Sequence, residues 1–286
     1  MRLLVTGSAG MLGRAAVRAA AARGHDVAQW DMGEGDLAEE EVAAAAVAGA
    51  MPDAVLNCAA FTDVEGCEDP ANAEAVRRGN VDLPKYLARA CARRDTLIVH
   101  VSTDYVFDGT KAGAYVEDDP VAPASAYGRS KLDGERAVVS EAPTTHLILR
   151  TAWLYGAGGK NFVDTIRRKL DEEAPLRVVN DQHGCPTYAA DLATAMIAAA
   201  EHGLTGLYHS VNAGTTTWYG LARKIAELTA RADHPIEPCS SADYPVKAKR
   251  PANSVLSREK LARHGIVFRP WEAALADYLN PSGSGG

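Results

Sequence analysis

The chain has 286 residues, enough for one large α/β domain or a domain with a smaller lobe, and 47% of them are hydrophobic, so a sizeable core can form. A formal net charge of −7 argues against nucleic-acid binding and against an anionic membrane surface, though a small anion can still sit in a locally basic pocket. The five cysteines, an odd number with no CxxC pair, read as reduced thiols in a cytoplasmic protein rather than as disulfides or a zinc site.

The chain opens with "RLLVTG", a short apolar run that reads as a strand ending at Gly7, so no secretory leader is expected. "MLGRAAVRAAAARG" follows as a helix stopped by Gly24. "HDVAQWD" reads as a second strand, "EEEVAAAAVAGA" as a second helix and "DAVLNCAA" as a third strand. The longest apolar stretch, Val42 to Met51, is about half of what a membrane span needs. "NVDLPKYLARACARR" predicts a helix in which Pro84 must occupy a first turn or cause a kink. Two more buried strands, "TLIVHVS" and "THLILRTAW", enclose the helix "AYGRSKLDGERAVVSEA".

Apolar strands alternating with helices predict a Rossmann-like, doubly wound parallel sheet over residues 1–150, the dinucleotide-binding domain. Beyond residue 151 the pattern loosens into short strands ("LRVVN", "GLYHSVN"), helices ("ADLATAMIAAAEH", "WYGLARKIAELTA") and proline-rich links. Residues 151–280 are expected to form a smaller α/β lobe that mainly binds substrate, with some segments returning to the main sheet. Residues 281–286, rich in Gly and Ser, read as a flexible tail.

Gly7, Gly10 and Gly13 form a G-x-x-G-x-x-G pattern at the first strand–helix junction. Such a loop allows a tight turn, a close approach of backbone to a pyrophosphate and a close helix–strand contact, and the helix N-terminus offers free N–H groups to the phosphates. Asp31 ends the second strand eighteen residues past Gly13, with no arginine after it. An acid there accepts hydrogen bonds from ribose hydroxyls and repels a 2′-phosphate, which favours NADH while leaving NADPH open. Asp36 and Leu37 can cover the adenine, and Ala59 and Ala60 end the third strand in small residues, as close passage along a cofactor requires.

Tyr127 and Lys131 stand four apart on a predicted helix and therefore face the same way. An ammonium near a phenol stabilises the phenolate, and such a tyrosine can protonate a carbonyl oxygen as hydride arrives. Ligands of an open parallel sheet bind beyond the carboxyl ends of its strands. "STDYVFDG" lies at such an end, so Thr103 can bond the oxygen that Tyr127 protonates, with Asp104, Tyr105 and Phe107 lining the pocket.

With these residues in place the chain resembles the extended short-chain dehydrogenase/reductases and, among them, the dTDP-4-dehydrorhamnose reductase family. The resemblance spans nearly the whole sequence and rests on "TGSAGMLG", "NCAAFTDVEGCE", "STDYVFDGT", "YGRSKLDGE", "RTAWLYG", "GKNFV", "NDQHGCPTYAADLA", "GLYHSVNAGTTTWYGLA" and "KRPANSVL". It implies an NADH- or NADPH-dependent reduction of the C4 keto group of dTDP-4-dehydro-β-L-rhamnose to dTDP-L-rhamnose. Tyr127 would be the proton donor, Lys131 would lower its pKa and hold the nicotinamide ribose, and Thr103 would tune the transfer. Thr103, Asp104 and Trp153 would contact the dTDP-sugar. Gly10, Met11, Leu12, Asp36, Leu37, Ala59, Ala60 and Phe61 would line the cofactor.

Arg250, within the family-like "KAKRPANS", is the leading candidate to hold the substrate pyrophosphate, and Asn161 and Gln182 are candidate sugar contacts. His183, His209 and His264 lack metal-ligand spacing and read as ordinary polar or packed histidines. Some members of the family are described as dimers bridged by magnesium through glutamates. The matching positions here are Ala15 and Ala190, so no metal is expected, and a monomer or weak homodimer is. Two alternatives stay open: another nucleotide-deoxysugar 4-ketoreductase, or a non-catalytic nucleotide-binding regulatory subunit. The intact Thr103, Tyr127 and Lys131 argue against the second. A dehydratase is a weaker reading, because many carry Asp-Glu after the threonine where this chain has Asp104-Tyr105.

Overall fold

The structure, a computed structural model, describes residues 1–244 and 246–280, and the expected tail at 281–286 lies outside the described residues. The chain begins β1 (Arg2–Thr6), α1 (Met11–Ala22), β2 (Asp26–Trp30), α2 (Glu40–Ala50) and β3 (Ala54–Asn57). A helical run then passes through α3 (Ala73–Arg77), a π turn (Arg78–Asp82) and α4 (Leu83–Ala92). Next come β4 (Leu97–Thr103), α5 (Ala126–Glu141) and β5 (His146–Thr151). The later part holds β6 (Leu154–Tyr155), α6 (Phe162–Asp171), β7 (Leu176–Val179), β8 (His183–Gly184), β9 (Thr187–Tyr188) and α7 (Ala189–Glu201). It ends with β10 (Gly206–His209), β11 (Thr216–Thr217), α8 (Trp218–Leu228), β12 (Ile236–Cys239), α9 (Glu259–Ala262) and α10 (Trp271–Leu279).

Six strands form one parallel sheet in the order β10-β5-β4-β3-β1-β2. Both faces of its central strands are apolar, as the uninterrupted runs predict. Leu3, Val5, Leu56 and Val99 meet α1 and α7 on one side, while Leu4, Val55 and Ile98 meet α2, α4 and α5 on the other. Alanines on α1 (Ala15, Ala16, Ala20) and on α7 (Ala193, Ala199, Ala200) keep the opposing helices thin. Each fully buried leucine contributes about 1.5–3 kcal/mol by leaving water. The chain turns back across β1 between β2 and β3, so α1 after β1 and α4 after β3 lie on opposite faces of the sheet. That reversal opens the ligand-binding crevice at the carboxyl ends of β1 and β3.

The helical run before β4 is longer than the sequence suggests, and Pro84 explains its shape. Pro84 sits in the first turn of α4 and has no N–H to return to the carbonyl of Asn80. The helix widens there into the π turn, and α5 presses against the exposed carbonyl: a Cβ on Gly134 would lie 2.2 Å from the Asn80 oxygen.

Three segments beyond residue 151 belong to the sheet body: α7 on its face, β10 at its edge beside β5, and the stretch beginning at α9 that buries Leu261, Ile266 and Phe268. Most of the rest forms a separate apolar cluster around Tyr155, Ile166, Leu176, Leu221, Ile225 and Trp271, in which β7 and β12 pair in parallel. A fourth cluster, including Phe107, Tyr115, Cys185 and Leu256, joins that part to the carboxyl end of β4. Among the described residues no helix is long and apolar enough to cross a membrane.

Candidate active site

The loop after β1 is shaped by what its glycines lack. Gly7 has φ 64°, and a Cβ on it would come within 2.8 Å of the Ala59 backbone. A Cβ on Gly13 would lie 2.0 Å from the Gly7 oxygen. Gly10 caps α1 without a side-chain bond, so the first N–H groups of the helix face the crevice with the positive end of its dipole. This is a cradle for a pyrophosphate, and the residues fit a dinucleotide. Asp31 fixes it from the side, accepting the N–H of Ala9 at 2.7 Å and of Met32 at 2.9 Å. Asp36 accepts the Ala38 N–H at 2.9 Å and pairs with Arg78 at 2.5 Å. Burial works against the Asp36 charge, but Arg78 and the Ala38 N–H outweigh it and hold the carboxyl below its usual value. Leu37 is buried beside it.

Across the crevice, Ser125 caps α5 by accepting the Gly128 N–H at 3.1 Å, which sets Tyr127 in the first turn and Lys131 one turn on. Gly128 follows the tyrosine because a Cβ there would lie 2.2 Å from the Tyr105 carbonyl oxygen. The short 3₁₀ turn Asp104–Val106 can therefore lean directly on α5, and the Tyr105 and Tyr127 rings meet edge to face, 5.6 Å between centroids. Burial pushes the Tyr127 phenol up, the Asp104 carboxylate adds to the rise, and a hydrogen bond with Thr103 opposes it. At neutral pH the phenol therefore holds its proton, which is the form a donor needs. Lys131 is buried and donates to the Val101 carbonyl at 2.8 Å. Burial brings its ammonium down to about 8, against Glu135 one turn on. Thr103 is the neighbour that favours the phenolate in this arrangement.

Several site residues were not singled out in the sequence. Asn80 is fully buried in the π turn and accepts the Phe61 N–H at 2.9 Å. Its amide donates to the Phe61 carbonyl at 3.1 Å and to Ser130 Oγ at 2.9 Å, and Ser130 bonds the Tyr127 carbonyl. One amide thus ties the Ala60-Phe61 segment to the start of α5. Its only signal in the sequence is a polar residue within the helical stripe Val76, Leu83, Leu87. Glu135 forms a two-pronged buried pair with Arg150 on β5, at 2.9 and 2.7 Å. Trp218 stacks on Trp153, 3.6 Å between centroids and 6° between planes. Gly184 is the residue that leaves room, since a Cβ there would run into the Trp153 ring.

With Thr103, Tyr127 and Lys131 gathered beside a glycine cradle, likeness to known proteins gains a structural meaning. The RmlD substrate binding domain family matches residues 1–283. The chain belongs to that family, the dTDP-4-dehydrorhamnose reductases. A probable dTDP-4,6-dihydroxy-2-methyloxan-3-one 4-ketoreductase of Streptomyces antibioticus is 41% identical over 97% of this chain and 94% of its own. The dTDP-4-dehydrorhamnose reductase of Mycobacterium tuberculosis H37Rv is 40% identical over 97% of this chain and 92% of its own. Among solved structures, the dTDP-4-dehydrorhamnose reductase of Bacillus anthracis in complex with NADP superposes with a TM-score of 0.91, at 31% identity, over 98% of this chain and 99% of its own.

The remaining candidates divide. Trp153 and Gln182 come together through Trp218, whose indole N–H donates to Gln182 Oε1 at 3.1 Å, and the Gln182 amide donates to Ser241 at 2.9 Å. Asn161 does not reach them: its side chain caps α6, accepting the Asp164 N–H at 2.9 Å and donating to the Gly156 carbonyl at 3.0 Å. Arg250 faces Tyr105, but its guanidinium is paired with Glu65 at 3.3 Å. The backbone N–H of Lys247 also bonds Glu65, at 2.9 Å. His209 is buried and held neutral, pushed down to about 3 by burial and Arg150, and His264 meets the Tyr208 hydroxyl at 3.3 Å. His183 lies on β8. Burial raises the thiols of Cys58 and Cys91 to about 12, which leaves them poor nucleophiles. Ala15 packs into the α1–α7 face, and among the described residues no three His, Cys, Asp or Glu side chains gather to hold a metal ion.

Proposed function

We propose that this protein reduces the C4 keto group of dTDP-4-dehydro-β-L-rhamnose to give dTDP-L-rhamnose. The observation that carries the reading is the meeting of Thr103, Tyr127 and Lys131 at the carboxyl end of β4, opposite the glycine cradle of β1, in a chain of this family. NADH or NADPH supplies the hydride when bound.

The chain's own residues do the rest. The N-terminus of α1 and the Gly7–Gly13 loop hold the pyrophosphate, and Asp31 and Asp36 bound the adenosine end. Lys131 holds the nicotinamide ribose and supplies positive charge near the phenol. Tyr127 keeps its proton at neutral pH and gives it to the C4 oxygen as negative charge develops there. Trp153, stacked on Trp218, forms a flat apolar wall for the sugar, with Asp104, Tyr105 and Gln182 as polar contacts. Arg250 lies close enough to act on the Tyr105 phenol and meets the substrate's pyrophosphate by loosening its bond to Glu65. The protein acts without a metal, as a monomer or weak homodimer.

The M. tuberculosis and S. antibioticus relatives are almost equally similar and differ in the sugar that their names carry. The two readings share the chemistry at C4 and separate at the rest of the ring. The test is NADH and NADPH oxidation with enzymatically generated dTDP-4-dehydro-L-rhamnose, beside a 2-deoxy 4-keto analogue, followed by product identification. Faster turnover of the rhamnose precursor supports the first reading, and faster turnover of the analogue replaces it with the second.

A further inference from the structure

The segment Thr103-Asp104-Tyr105 sets one hydroxyl between two acids. Thr103 and Asp104 are 5% and 2% exposed, and Tyr127 stands over them from α5. A threonine hydroxyl has one proton and two lone pairs. Thr103 gives its proton to Asp104 Oδ1 at 3.0 Å and accepts the Tyr105 N–H at 3.2 Å. Its third neighbour is the Tyr127 phenol. One proton must therefore serve both the carboxylate and, after proton transfer, the phenolate.

Other groups act on Asp104 beside Thr103. Ser254, on the strap that follows Arg250, favours the charged carboxyl, as do the backbone N–H groups of Asp104 and Tyr105. The strap is held there by bonds of the Ser254 N–H to the His183 carbonyl at 2.8 Å and of the Asn253 N–H to the Gly109 carbonyl at 3.2 Å. The titratable neighbours are Tyr127 on α5, Tyr105 on the same turn and Cys185 between β8 and β9, with the Arg250–Glu65 pair beyond Tyr105. Asp104 Oδ2 is buried without a hydrogen-bond partner among the described residues. Thr103 is the side chain that bonds the carboxylate directly, at Oδ1.

We propose that Asp104 is a positioning residue for the proton donor: it holds the Thr103 hydroxyl proton while Tyr127 carries its own, and yields it to the Tyr127 oxygen once the phenol has protonated the substrate. The inference rests on the 4-ketoreductase reading. In the step, the Tyr127 O–H bond breaks, its proton goes to the C4 oxygen of the sugar, and the electron pair stays on the phenol oxygen. The Thr103 O–H bond stays whole, and only its hydrogen bond turns, from the carboxylate to the new phenolate. The charge on Asp104 keeps the phenol protonated until substrate arrives, in line with its upward push on Tyr127.

The direct test reads the Thr103–Asp104 bond without cofactor or sugar. Burial places the Asp104 carboxyl at about 6, with Ser254 and Thr103 opposing the rise, so it titrates in an accessible range. Carboxyl carbon NMR of aspartate-labelled protein, with the signal assigned by Asp104→Asn, should show the midpoint rising by about one pH unit in Thr103→Val. Thr103→Ser, which keeps the hydroxyl, should restore it. In turnover, Asp104→Asn should lower kcat by roughly tenfold, with any rise in the sugar KM smaller than that, and remove the acidic limb near pH 6. An unmoved midpoint in Thr103→Val overturns the proposal, as does a raised sugar KM at wild-type kcat. A protein that shows the NMR shift yet turns over neither 4-keto sugar contradicts the substrate reading and not the bond.

Discussion

The glycine loop after β1 and the polar edge after β4 face each other across one crevice, but they are made of different material. The loop works through backbone N–H groups and missing side chains. The edge works through side chains drawn from β4, α5, the loop after β5, α8 and the strap near residue 250. A backbone site tolerates almost no added atom, whereas a side-chain site is sensitive to the loss of a proton, a charge or a bond. The glycines of the loop also fall within the first thirteen residues, while the edge depends on partners such as Glu65 and Arg250, 185 positions apart.

This contrast can be broken most sharply at Gly13. A methyl group there would lie 2.0 Å from the Gly7 oxygen, so Gly13→Ala must displace the cradle. Cofactor affinity should fall by about tenfold or more, the equivalent of ~1.4 kcal/mol, measured by fluorescence titration with NADH. Unchanged affinity would mean that the phosphates do not sit on this loop.

At the edge, removing a charge should help the fold while harming the chemistry. The Asp104 carboxyl is raised from 3.8 to about 6 by burial. Its folded pKa lies above its unfolded one, so the group costs stability above pH 6, and the cost fades as pH falls from 6 towards 4. Asp104→Asn should therefore stabilise the protein at pH 8 by up to about 3 kcal/mol, less whatever hydrogen bonding the amide loses. Denaturant unfolding at pH 8 and pH 4 checks this, and a stabilisation that is larger at pH 4 would reverse the sign.

A smaller effect concerns Lys131. Burial lowers its ammonium to about 8 while Glu135 supports it, so turnover should decline as pH rises through about 8. Glu135→Gln removes that support and should move the decline to lower pH in the kcat profile. A limb that stays in place would show that Glu135 does not support the Lys131 ammonium. The smallest change is expected at Asp31, which clamps the loop at Ala9 and, on the proposed reading, meets the ribose. Asp31→Ala should weaken NADH binding several-fold and shift the preference towards NADPH, read as the ratio of the two Kd values. An unaltered ratio would leave Asp31 a clamp on Ala9 and nothing more.

The same division decides what the sequence makes legible. Gly7, Gly10 and Gly13, and the Tyr127–Lys131 spacing, are local patterns, and the strands that frame them are continuous apolar runs. Asn80 is hidden because its amide serves a segment nineteen residues earlier and a helix fifty residues later. The π turn before Pro84 follows from a missing N–H, but its width depends on α5 pressing at Gly134. Asn161 reads as a free amide in a loop, and only the fold shows that α6 uses it as a cap. Arg250 reads as a free cation until Glu65 is brought beside it. The position of β10 at the sheet edge is likewise set by its pairing with β5, which no spacing within "GLYHSVN" announces.

The most direct test of the central claim is nicotinamide oxidation by wild-type protein and by Tyr127→Phe, with dTDP-4-dehydro-L-rhamnose as substrate. The phenylalanine keeps the ring contact with Tyr105 and lacks only the proton that the account assigns to Tyr127. Wild-type protein should form dTDP-L-rhamnose, and the variant should lose roughly 10²- to 10⁴-fold in kcat with NADH affinity unchanged. Wild-type turnover in Tyr127→Phe, or a wild-type product that keeps its C4 carbonyl, would contradict the account.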